Sequence, residues 1–134
     1  MKNILALIDF SDITPKVVEH AHAMAQAFGG EIILMHVVLP EPLVVDFEPP
    51  APPENVFDDR LRQLHALRDS LAGSGVKVTT HQFGGAVPET ILTQLNKLRP
   101  DAIVLGSHGH GALYSLLVGS VTAAVIKNAV QPVL

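Results

Sequence analysis

Apolar residues recur along the chain in two alternating patterns, short unbroken runs and longer stretches with a period near 3.6. Asn3 to Ile8 is the first short run, and an apolar run of that length favours a buried strand. Val17, Ala21, Met24, Ala25 and Phe28 then keep helical spacing. Pro15 suits the first turn of that helix, residues between Asp9 and Thr14 offer N-caps, and Gly29-Gly30 stops it. Ile32 to Leu39 is apolar apart from His36 and predicts a second buried strand. Pro40, Pro42, Pro49, Pro50, Pro52 and Pro53 forbid helix or central strand and predict a loop. Phe57, Leu61, Leu64, Leu67 and Leu71 lie on one face of a helix opened by Glu54 or Asn55 and closed by Gly73 and Gly75.

Val76 to Phe83 alternates as a half-buried edge strand does. Pro88 opens a third helix with Ile91, Leu92, Leu95 and Leu98 inward, and Pro100 ends it. Ala102 to Leu105 is a further buried strand, a fourth helix runs from about Ser120 to Asn128, and Pro132 to Leu134 begins a last strand. The alternation β-α-β-α-β-α-β-α-β predicts an α/β domain, a doubly wound, Rossmann-like five-stranded parallel sheet with helices on both faces. Strand order 3-2-1-4-5 places the switch point between strands one and four, where ligands of such sheets bind. Asp9 and Gly106 stand at those two carboxyl ends.

Composition narrows the possibilities. A chain of 134 residues accommodates one domain, residues 1–134. A net charge of −4 without a basic run argues against a nucleic-acid partner. Cysteine is absent, which excludes a thiolate metal site or disulfide scaffold. Only Lys2 precedes the first apolar run and Asp9 interrupts it, too soon for a signal or membrane segment, so a cytoplasmic location and no membrane partner are the default expectations.

The chemistry concentrates between Gly106 and Val121, GSHGHGALYSLLVGSV. Gly106, Gly109 and Gly119 let backbone approach a ligand closely. Ser120 stands where a helical pattern begins, and a helix start offers unpaired N–H groups to an anion. This outlines a phosphate cradle; the plainer alternative is a glycine-rich turn with Ser120 as N-cap. The stretch lacks the Lys-Ser/Thr pair of a P-loop ATPase. Nor does it fix a third zinc ligand beside His108 and His110, so no metal is expected there as a protein-bound centre.

These residues resemble the universal stress protein family, in its ATP-binding branch. The signature G-x-x-G-x9-G-[S/T] is met by Gly106, Gly109, Gly119 and Ser120, and the likeness extends from Ile8-Asp9-Phe-Ser through Leu34-Met-His-Val37 to Gln131-Pro-Val133. The resemblance implies an adenine nucleotide alpha hydrolase-like fold that holds ATP with Mg2+. Asp9 would accept the ribose hydroxyls, and the Val37 backbone would address adenine. Gly106 and Gly109 would underlie the phosphates, with Gly119, Ser120 and Val121 at the receiving helix start and Ile8, Leu105, His108 and His110 completing the site. His110 stands where the family often has Arg or Lys, and no Lys or Arg occurs from Asp101 to Ile126, so backbone dipoles, Mg2+ and His108 or His110 would face the phosphates. The resemblance further implies a homodimer joined through the last strand. The function expected is a nucleotide-dependent regulatory module in stress response, with no catalytic residue and at most slow hydrolysis. The alternative is a slow ATPase or a phosphoryl- or adenylate-transfer enzyme on the same scaffold.

Overall fold

The computed structural model describes residues 2–38, 56–106 and 121–134. Its elements are β1 (Asn3–Leu7), α1 (Thr14–Phe28), β2 (Glu31–Val38), α2 (Val56–Ser70), β3 (Val78–Gly84), α3 (Val87–Leu98) and β4 (Ala102–Val104), followed by helical residues 121–128. The strands form a parallel sheet in the order β3-β2-β1-β4. The expected β-α alternation and the order 3-2-1-4 are therefore present.

The expected fifth strand is not formed as a strand among the described residues. Residues 132–134 lie beside β4 through an isolated parallel bridge, Ile103 to Val133. Ile103 N–H donates to Pro132 C=O at 2.9 Å, Leu134 N–H to Ile103 C=O at 2.8 Å and Leu105 N–H to Leu134 C=O at 3.1 Å. Pro132 brings no N–H of its own, so the segment has the strand's direction and position without a continuous ladder. β3 also begins later than the alternation predicts. The Lys77 carbonyl accepts from Ile32 N–H at 2.9 Å, whereas Val76 packs on the apolar core.

Period-two alternation puts one set of side chains on each face of the sheet. Ile4, Ala6, Ile8, Ile32 and Leu34 meet Val17, Val18, Ala21 and Ala25 of α1 and Leu64 of α2. Leu5, Ile33, Met35, Val37 and Ile103 meet Ile91 and Leu95 of α3 and Val125. β1 and β2 are thus covered on both sides, as their unbroken apolar runs require. β3 is half-buried along most of its length, in keeping with its edge position.

Glycine and proline end α1 and α3 as expected, but neither helix has a side-chain hydrogen bond at its N-cap, and the cap candidates Glu54, Asn55 and Ser120 lie outside the described residues. α1 ends at Gly29, whose φ of 65° is left-handed. α3 ends at Arg99, also left-handed with a φ of 45°, because Pro100 blocks continuation. The cap position of α1 is Ile13, with no side-chain hydrogen bond. Among the described residues no helix is long and apolar enough to cross a membrane.

Candidate functional site

Parallel topology brings the carboxyl ends of β1, β2 and β4 to one edge. Asp9 follows β1 and is exposed. Its Oδ1 accepts from Ser11 N–H at 2.9 Å, from Ser11 Oγ–H at 2.6 Å and from Thr14 Oγ1–H at 3.4 Å. The carboxylate therefore organises a turn ahead of α1. These bonds all fall on one oxygen, which leaves Oδ2 without a donor among the described residues.

Phe10, immediately after Asp9, has a φ of 57°, unusual for a bulky residue. Its ring packs edge-to-face with that of His36, with centroids 4.7 Å apart and planes at 66°. From α2, Arg60 approaches the same ring, its Cζ 5.4 Å from the centroid. His36 is buried, and its Nδ1 lies 2.6 Å from the Ile8 carbonyl. A carbonyl only accepts, so Nδ1 carries the proton. Burial lowers the His36 pKa below 6.5; the Ile8 hydrogen bond opposes this, the Arg60 charge adds to it, and Asp9 opposes it.

Hydrogen bonding along β2 alternates between its neighbours. Glu31 N–H bonds Lys2 C=O at 2.7 Å and Ile8 N–H bonds Met35 C=O at 2.8 Å, both on the β1 side. Ile32 N–H bonds Lys77 C=O at 2.9 Å and Gly85 N–H bonds Val38 C=O at 3.1 Å, both on the β3 side. Val37 belongs to the first set, so its N–H and C=O point past the end of β1. The Ile8 carbonyl, the next acceptor in a continuing ladder, is occupied by His36.

Across the switch, Leu105 and Gly106 follow β4. The Gly106 carbonyl accepts from Thr122 Oγ1–H at 3.2 Å, which ties the strand end to the first turn of helical residues 121–128. Val121 packs with the apolar cluster under that helix. A cleft of about 380 Å³ opens beside Gly106, with Ile13, Lys16, His20 and Leu134 among its walls. Another cleft of about 380 Å³, bordered by Gly29, Gly30 and Gly75, lies at the opposite end of the sheet, away from Asp9.

Ile8, Asp9, Val37, Leu105 and Gly106 lie at or beside the carboxyl ends of β1, β2 and β4, and Val121 is the first of the helical residues 121–128. His108, Gly109, His110, Gly119 and Ser120 lie outside the described residues. Phe10, Arg60 and Thr122 were not foreseen as neighbours of the site, and no local spacing marks them. His36 had a signal, as the lone polar residue inside an apolar strand.

A family model for universal stress proteins matches residues 1–134. The chain belongs to the universal stress protein family. Universal stress protein MJ0531 of Methanocaldococcus jannaschii is 30% identical over 136 residues, spanning 99% of this chain and 80% of its own length. The solved structure of MJ0577 from the same organism superposes with a TM-score of 0.78 at 30% identity, covering 99% of this chain and 93% of that one. An Arabidopsis thaliana universal stress protein family member, solved with AMP bound, gives 0.69 at 20% identity, covering 100% and 90%. At that identity the likeness carries the fold alone.

Proposed function

We propose that this universal stress protein binds an adenine nucleotide, ATP with Mg2+, across the β1/β4 switch point and acts as a nucleotide-dependent regulatory module. The observation that carries the reading is the arrangement of three ligand-ready groups on one sheet edge. Asp9 Oδ2 has no donor among the described residues, the Val37 backbone edge is turned past β1, and Gly106 lies at the end of β4. A carboxylate accepts from a ribose diol, and a neighbouring N–H and C=O match the adenine N1 and amino group.

In this reading Ile8 and Leu105 flank the nucleotide, and Gly106 and Gly109 underlie its phosphates. Gly119, Ser120 and Val121 supply the helix start, His108 and His110 border the phosphates, and Mg2+ adds positive charge there. A homodimer through the segment at 132–134 and a cytoplasmic location complete the proposal. Support comes from the family membership. The test is to soak purified protein with ATP, remove free nucleotide, denature it, and identify what is released by absorbance and mass. Stoichiometric adenine nucleotide supports the reading, and none after saturation overturns it.

A further inference from the structure

Val37 can present an unpaired N–H only if something keeps the nearest carbonyl from taking it. The last rung between β1 and β2 is Ile8 N–H to Met35 C=O at 2.8 Å. In a parallel ladder the next would join Val37 N–H to Ile8 C=O. That rung is not made, and Ile8 C=O instead accepts from His36 Nδ1 at 2.6 Å. The imidazole is fixed for this bond. Its ring is buried and packs at 66° to the Phe10 ring with centroids 4.7 Å apart, and Phe10 itself has a left-handed φ of 57°.

We propose that His36 is a positioning residue for base recognition: by holding the Ile8 carbonyl it stops the β1–β2 ladder one rung short and keeps the Val37 N–H and C=O available to an adenine edge. A side chain here does what the end of a strand alone does not, since Val37 would otherwise be satisfied within the sheet. The ligand class follows from the donor and acceptor order. Adenine offers an acceptor at N1 beside an amino donor, which pairs with an N–H and a C=O, whereas guanine offers an N–H and a carbonyl in the reversed order. The inference deepens the adenine-nucleotide reading, and its ligand class rests on that reading.

The experiment compares the wild type with His36→Val and His36→Asn. Valine is a good strand former that cannot donate, whereas the asparagine amide can reach a carbonyl as Nδ1 does. Amide hydrogen exchange in ligand-free protein should be fast at Val37 and slow at Met35 in the wild type. His36→Val should slow exchange at Val37, and His36→Asn should leave it fast. Calorimetry with adenosine and ATP should show both weakened about tenfold in His36→Val, the scale of one net hydrogen bond, with recovery in His36→Asn. Guanosine should bind the wild type more weakly than adenosine.

Fast exchange at Val37 in a folded His36→Val protein overturns the inference, as does a loss of ATP affinity that spares adenosine. If His36→Val does not fold, the wild type still decides, since a Val37 amide protected as strongly as that of Met35 overturns it. The exchange measurement needs no ligand, so the backbone device and the adenine reading fail separately. A wild type that binds neither adenosine nor ATP overturns the latter and the ligand class with it.

Discussion

The Cγ2 of Ile13 lies 2.5 Å from the point where a Cβ on Gly106 would stand, with Cγ1 and Cβ of the same side chain at 3.3 and 3.4 Å. Ile13 also starts α1, so the helix start and the end of β4 meet at the only spacing a glycine allows. Ile13 is β-branched and stiff at χ1, so it yields little. Gly106→Ala should destabilise by about 1–3 kcal/mol, the range for overpacking. Ile13→Ala in the same chain should remove much of that penalty. A double-mutant cycle by urea unfolding checks this; additive losses would show that the two residues do not share the space.

Asp101 joins the amino ends of β1 and β4. Its Oδ2 accepts from Lys2 N–H at 2.8 Å and Asn3 N–H at 2.9 Å, and its own N–H donates to Asn3 C=O at 2.8 Å. Hydrogen bonds from the Asn3 and Lys2 amides favour the carboxylate and lower its pKa below 3.8. The native state holds this proton less tightly than the unfolded chain, so the contribution is full above the ordinary carboxylate pKa. It is lost as pH falls through the lowered native value. The stability of the wild type over Asp101→Ala should therefore be constant near neutrality and shrink in acid below 3.8. A difference that does not change in acid would detach the effect from ionisation.

Most of the fold was legible because its signals are local. Val17, Ala21 and Ala25 at helical spacing, the unbroken run from Ile4 to Ile8, and Gly29 after Phe28 each determine one element without reference to the rest. The order that lays strands one to three on one side of the switch and strand four on the other brings Asp9 and Gly106 to the same edge. Other features depend on residues far apart in sequence. His36 reaches back to the Ile8 carbonyl at the end of the β1–β2 ladder, and β3 takes its register from Ile32 opposite Val78. Arg60 meets Phe10 through the packing of α2 against the sheet. The segment at 132–134 has the right neighbour, but three residues led by a proline make a bridge where five-strand alternation promised a strand.

Asp9 has a turn to hold and, on the proposed reading, a ribose to bind, and the two roles fall on different oxygens. Asp9→Asn keeps an acceptor for Ser11 N–H and Ser11 Oγ–H, yet it replaces the other oxygen with a donor that a diol cannot use in the same way. The variant should melt close to the wild type and bind ATP about 1–3 kcal/mol more weakly, the cost of leaving polar partners unmet. Ser11→Ala should do the reverse, lowering stability by about 0.5–1.5 kcal/mol with little effect on ATP. Calorimetry beside thermal unfolding separates them. Unchanged ATP affinity in Asp9→Asn would confine Asp9 to the turn.

Acid should expose His36. Burial lowers its pKa from 6.5, the Ile8 bond pulls the other way, the Arg60 charge lowers it further and the Asp9 charge raises it. The unfolded chain, with an ordinary imidazole, therefore takes up this proton before the folded protein does. Stability due to neutral His36 is complete above about 6.5 and falls as pH drops from there toward the lower folded value. His36→Asn keeps a donor for Ile8 but has nothing to titrate, so the wild type should lose stability against it between neutrality and mild acid. Arg60→Gln removes one influence that disfavours the charged imidazole, so its decline should be shallower than that of the wild type. Urea unfolding of the three proteins across this range measures both slopes. Parallel curves for the wild type and His36→Asn would mean that His36 meets water in the native state as freely as in the unfolded one.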